Sequence, residues 1–284
     1  MNRTQALSRI VEQVRQGELI FPTNVNASIK IQEALNDPDC GIETAANLVI
    51  TEPLLAARLV AIANSVAYSR FGGGVTNVKT AVTILGFTTL RSIVISVVIR
   101  QLSLAISDPQ LRMKANQLWE HSANVAALAH VIAKKINHAD YETAMFAGIV
   151  HEIAGFYLLS RAHEFPMLLD TENSSSGDVD EIVASPEAII GQAVLKKLMV
   201  PSVVIKAVEN LWNGLLVLPP VSLGDILMVA NDLASVISPL EIRSKKILAQ
   251  STSEIDFFVG DATLNEIMAE SNEEVRSLTA ALLM

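Results

Sequence analysis

Apolar residues recur at three- and four-residue spacing along nearly the whole chain, and no stretch alternates apolar with polar residues as a half-buried strand does. That pattern commits the chain to helices. Half of the residues are hydrophobic, drawn mainly from Ala, Leu, Ile and Val, and only 5% are aromatic. Ala and Leu favour helices, so propensity and pattern agree. Together they predict helices over 4–16, 26–37, 41–50, 53–65, 77–85, 87–103, 109–136, 140–162, 187–199, 201–213, 221–237 and 262–283. Pro53 and Pro201 stand where a first helical turn tolerates proline, and Thr76 reads as an N-cap. Asp37-Pro38-Asp39, Gly72-Gly73-Gly74 and Pro219-Pro220 read as breaks.

The expected architecture is all-α, with two packed helical bundles over 1–108 and 109–284 that meet near Ser107-Asp108-Pro109. The stretch from Asp170 to Asp178 is polar and Ser-rich, which predicts a mobile surface loop inserted in the second bundle. The last helix, 262–283, is a carboxy-terminal extension of that bundle.

Several classes of function fall away. Mean hydropathy is positive at +0.38, but the densest apolar run, Ser92 to Ile99, lies between Arg91 and Arg100. A membrane span needs roughly 20 apolar residues, so none is expected. The segment Met1-Asn2-Arg3-Thr4-Gln5 lacks the apolar core of a signal peptide, and Cys40 is the only cysteine, which excludes Cys-based zinc sites and intramolecular disulfides. These features predict a soluble cytoplasmic protein. The net charge of −9 and the absence of a basic cluster disfavour nucleic acid as a partner. Two short helices joined by Thr51-Glu52 have a helix-turn-helix outline, but the second carries Arg58 as its only cation and few groups able to read bases. Gly73 through Thr80 resembles a phosphate-binding loop, yet Val78 stands where the pattern needs glycine, and no strand precedes it.

Three segments of the second half belong together. Leu118-Trp119-Glu120-His121-Ser122 places His121 on the inward stripe with Val125, Leu128 and Ile132, and His130 on the opposite face. The stretch Phe146 to Gly155 is apolar nearly all round and carries His151-Glu152 among small residues. Met228-Val229-Ala230-Asn231-Asp232-Leu233 turns Asp232 toward the core with Met228, Val229 and Val236. A buried carboxylate is costly unless paired or bound to a cation. Two readings therefore stay open: hydrogen-bonded core residues with no metal, or a mixed N/O site for one divalent ion such as iron, manganese or zinc.

The order His…His-Glu…Asp resembles the His…His-Asp…Asp pattern of HD-superfamily phosphohydrolases. It is more sharply similar to the HDOD domain, the HD-related output domain of bacterial signalling proteins. The likeness runs over about 18–235 and rests on several stretches. These are Asn36 to Asp39, Thr51 to Leu59, Asn64-Ser65, Val78 to Phe87, Leu90-Arg91-Ser92, Leu118 to Ser122 and Ala147 to Ile153. The resemblance implies an HD-like second bundle, with His121, His151, Glu152 and Asp232 at the metal-ligand positions, active or vestigial. Two departures weaken an enzymatic role. Glu152 stands where the hydrolases carry Asp, and later histidines are missing, with Glu187 and Asn210-Leu211-Trp212 in their places. A two-metal site for phosphate-ester hydrolysis would then be short of ligands. The expectation is a non-catalytic interaction module acting on a protein partner in a signalling pathway, with no confident catalytic residue and no confident cofactor. The alternative is a metal-dependent phosphohydrolase acting on a nucleotide or cyclic dinucleotide, and the third is a DNA-binding regulator.

Overall fold

Short polar residues and prolines start most of the helices. In the computed structural model, which describes residues 2–22, 25–68, 74–137, 140–169, 185–213, 216–240, 258–259 and 262–284, Asn2 caps α1 (Arg3–Arg15) in a reciprocal capping box with Gln5. After α2 (Asn26–Leu35) and α3 (Ile42–Ile50), Pro53 opens α4 (Pro53–Ala63). Asn77, rather than Thr76, caps α5 (Val78–Leu104) by accepting from the Thr80 amide. Gly86, at φ 72° and ψ 176°, breaks α5 where the sequence predicts two helices.

Asp108 and Pro109 begin α6 (Pro109–Ile132), which runs into a π-helical turn, Ala133–Asn137. Asp140 caps α7 (Tyr141–Val150), and α8 (Ile153–Arg161) follows after a two-residue interruption. Beyond a 3-10 turn at Pro166–Leu169 come α9 (Pro186–Lys197), α10 (Ser202–Asn213) and α11 (Leu223–Asp232). Then β1 (Phe258–Val259) and β2 (Ala262–Thr263) form a minimal antiparallel pair ahead of α12 (Leu264–Glu270) and α13 (Asn272–Leu283). The fold is all-α, as the apolar spacing predicts. The predicted insertion at 170–178 lies outside the described residues.

Two helices hold the centre. The second half of α5 is buried almost continuously from Leu90 to Leu102, and the helix as a whole packs against α2, α3, α4, α7 and α8. In α6, every residue from His121 to Ile132 is buried, and the alanines at 123, 126, 127 and 129 let neighbours come close. The tightest approach is to α7. A Cβ added at Gly148 would lie 2.4 Å from Ala126 Cα, so only glycine permits this crossing. Helix α13 covers another side of α6, and α1 packs on α9.

Val78–Leu104 and Tyr141–Arg161 are long and apolar enough to cross a membrane by length and composition, which the eight-residue run Ser92 to Ile99 does not foretell. Their most apolar stretches are 67% and 83% buried within the fold, as core helices are.

Candidate metal centre

The crossing of α6 and α7 decides what His121 and His151 meet. On α6, Gln117, His121 and Asn124 follow one another at four- and three-residue steps and so share a face. The sequence predicts one helix over 140–162, but α7 stops at Val150. Glu152, at φ −98° and ψ 17°, leaves helical geometry before α8 begins. His151 Nδ1 donates to the Gly148 carbonyl at 2.7 Å, taking an oxygen that the continuing helix would use. The interruption brings two adjacent side chains to bear on α6.

His121 Nε2 lies 3.1 Å from His151 Nε2. Donor atoms of His121, His151 and Glu152 all fall within 4.8 Å of one another, and among the described residues this is the one group of three or more such side chains. Their residues are only 2%, 2% and 6% exposed. Asp232, expected as a fourth member, is not in the group. Helix α11 ends at Asp232 instead of reaching 237, and its last turn presents Asn231, whose Oδ1 lies 3.1 Å from His121 Nε2. Successive helical residues point about 100° apart, so presenting Asn231 turns Asp232 aside. His130 faces away from His121, as predicted, but it too is buried, between the rings of Tyr141 and Tyr68 and beside Glu274 of α13.

A non-helical segment, 233–240, lies across the group. Ser235 donates through its amide and its hydroxyl to Asn124 Oδ1, at 2.9 and 3.1 Å. The Val236 carbonyl accepts from His121 Nδ1 at 2.7 Å, and the Ile237 carbonyl accepts from Gln117 Nε2 at 3.1 Å. Ser238 donates its hydroxyl to Glu152 Oε1 at 2.8 Å, and Leu240 lies against Gly155, where a Cβ would come within 2.6 Å of Leu240 Cδ1. Gln117, Asn124, Asn231 and Ser238 were not expected at the site. The polar stripe Gln117–His121–Asn124 on an otherwise inward face is the one signal that could have found the first two.

The proton inventory of the group does not balance. Both Nδ1 atoms face carbonyls, which only accept, so both are protonated. Each neutral ring then presents a lone pair from Nε2, and the two lone pairs face each other, with Asn231 Oδ1 adding a third. Rotating the Asn231 amide would give His121 a donor and still leave His151 Nε2 facing a filled lone pair. A positive charge between these atoms resolves the arrangement, either a second proton on one of the two rings or a cation. Burial pushes the His121 pKa down despite opposing hydrogen bonds from Val236 and Asn231, which works against the proton. Burial likewise pushes Glu152 up to about 7, with the Ser238 hydroxyl opposing. Glu152 Oε2 has no hydrogen-bond partner among the described residues. Two imidazole nitrogens and a carboxylate oxygen are a donor set able to hold one divalent ion.

The sequence profile of the HDOD domain matches residues 21–213. No curated protein matches the chain. Solved structures of the same fold include a candidate metal-dependent phosphohydrolase from Shewanella amazonensis SB2B, at 22% identity over 99% of each chain with a TM-score of 0.67. Another is an HDOD domain protein of unknown function from Geobacter sulfurreducens, at 20% identity over 99% of each chain and a TM-score of 0.59. A candidate signal transduction protein from Marinobacter aquaeolei VT8 is 16% identical, with a TM-score of 0.51 over 94% of this chain and 60% of that one. At such identities the likeness speaks to fold alone.

Proposed function

The chain belongs to the HDOD family, and we propose that it is a cytoplasmic signal-transduction module that passes a signal to a protein partner and holds one divalent cation between His121, His151 and Glu152. The observation that carries the cation is the meeting of lone pairs at His121 and His151 Nε2, 3.1 Å apart in a buried corner where burial works against a second proton on His121. The residues fit the ion. Neutral imidazoles with Nδ1 bonded to main-chain carbonyls have the ligating nitrogen fixed in place, and Glu152 Oε2 is buried without a partner. When bound, the ion would supply the positive charge this corner lacks. His121 and His151 would then tie α6 to the α7–α8 junction.

Access favours signalling over hydrolysis. Segment 233–240 seats its Val236 carbonyl on His121 Nδ1 and its Ser238 hydroxyl on Glu152 Oε1, so protein covers one flank of the group. Hydrolysis of a phosphate ester needs charge-stabilising groups around the phosphoryl oxygens, and among the described residues no lysine or arginine bonds to His121 or Glu152. In this reading the two helical bundles divide near Ser107-Asp108-Pro109 and rearrange to carry the signal.

One observation favours the phosphohydrolase reading. A carboxyl pushed up to about 7 is poised for proton transfer, and Glu152 is such a group. Purification without chelator, metal analysis, and assays on a panel of nucleotides and cyclic dinucleotides separate the two. About one equivalent of iron, manganese or zinc with no turnover is expected for a single three-ligand group. Turnover in the wild type that is lost in His151→Ala would establish the hydrolase instead.

A further inference from the structure

Helix α4, the second helix of the helix-turn-helix outline, carries one cation, and that cation is not on the surface. Arg58 is 0% exposed, packed between α5 and the indole of Trp119 on α6, with its guanidinium carbon 5.4 Å from the ring centre. Its Nη1 donates to Ser96 Oγ at 3.2 Å, and that hydroxyl donates onward to the Ile93 carbonyl. Nε and Nη2 have no acceptor among the described residues. Nε1 of Trp119, a third buried N–H on the ring that Arg58 stacks on, has none either.

Nε and Nη2 form the side-on edge of a guanidinium, the fork that matches two oxygens of a carboxylate or phosphate. Two other arginines of this chain show what the edge takes when it is filled. Arg161 places Nε and Nη2 on Glu164 Oε2 at 3.0 and 2.8 Å. Arg91 places the same two atoms on the Leu35 carbonyl at 3.0 and 2.6 Å. Arg58 is more deeply buried than either, and among the described residues no carboxylate pairs with it. Its surroundings raise the positive potential further. Arg100 reaches the same helix three residues before Trp119, bonding to Asn116 Oδ1 at 2.7 Å. Burial first, and Arg100 second, push the Arg58 pKa down to about 10. A buried charge without a counter-charge is strongly unfavourable, and a methionine of similar length would avoid the penalty.

We propose that Arg58 Nε and Nη2, with Trp119 Nε1, form an internal binding site for a small oxyanion, the carboxylate or phosphate group of a small molecule. The site joins α4 to α6. It uses none of the metal-centre ligands and stands independently of the signalling reading.

Equilibrium urea unfolding followed by far-UV circular dichroism tests it, because binding to the native state alone raises the midpoint and slow entry to a closed site does not matter. Wild type, Arg58→Met and Arg58→Lys are compared at pH 7 in sodium chloride, acetate and phosphate of matched ionic strength. The wild-type midpoint is expected to rise saturably with acetate or phosphate beyond chloride, and the anion that raises it tells a carboxylate from a phosphate. Arg58→Met is expected to lose that excess, which also removes the general salting effect of phosphate from the comparison. Arg58→Lys keeps the charge without the fork and is expected to bind at least about tenfold more weakly. Equal wild-type midpoints in all three anions would overturn the proposal. So would an excess retained in Arg58→Met or, should that variant not fold, one undiminished in Arg58→Lys.

Discussion

His121 and His130 stand nine residues apart on one helix, equally buried, and only one of them marks a site for chemistry. His130 lies between two tyrosine rings, 4.9 and 5.8 Å from their centres, and near the Glu274 carboxylate that Lys134 already pairs. His121 faces a second imidazole and an amide oxygen, each 3.1 Å from its Nε2. The carboxyls nearby repeat the contrast. Glu142 accepts hydroxyls from Tyr68, at 2.6 Å, and Thr89. Glu152 accepts one hydroxyl and holds its other oxygen buried, with no partner among the described residues. Burial therefore does not separate the two histidines; their company does, aromatic rings around His130 and a second imidazole, an amide oxygen and a carboxyl around His121.

Metal content gives the largest test of that contrast. His121→Ala and His151→Ala are each expected to lower bound metal from about one equivalent to near none, whereas His130→Ala retains it, since a three-ligand group loses affinity steeply with one ligand gone. Equal loss in all three variants would erase the distinction.

The two carboxyls differ in their expected pH behaviour. In the chelator-treated protein, Glu152 is pushed above its ordinary value of 4.5 to about 7. The folded state thus holds a proton that the unfolded chain releases. This raises stability below pH 4.5 and is lost as pH climbs to about 7, a decline of about 3 kcal/mol. Urea unfolding from pH 4 to 8 should show that decline in wild type and in Glu142→Gln, and should lack it in Glu152→Gln. A decline unchanged in Glu152→Gln would assign the proton elsewhere.

Ser238→Ala sharpens the comparison by the smallest step. It removes the one hydroxyl that favours ionised Glu152, at a cost of about 1 kcal/mol, and shifts the upper end of the pH decline still higher. Unchanged stability and an unmoved pH profile would show that this hydroxyl does not tune the carboxyl.

The helices and the meeting of His121 with His151 were legible in the sequence because both depend on local pattern: inward stripes at helical spacing and small residues, such as Gly148, that let α6 and α7 touch. Asp232 stays outside the close group, since its predicted face assumed a helix running to 237. The tertiary contacts of Ser235 and Val236 stop α11 at Asp232 and bring Asn231 forward. The interruption at His151–Glu152 was hidden for a related reason. Nothing in an apolar run announces that a histidine will take a main-chain oxygen three residues back. Arg58 read as the lone cation of a candidate recognition helix, and only packing shows it turned inward.

Segment 233–240 grips the histidine helix partly through the oxygens of Val236 and Ile237, while the Ile237 side chain points outward, 77% exposed. A carbonyl is the same in every amino acid. Evolution can therefore rewrite the outward face of this segment, and adapt it to whatever it touches, without disturbing its hold on His121. A comparison of relatives would find variable residues over a constant grip, and would pass over the segment as unimportant.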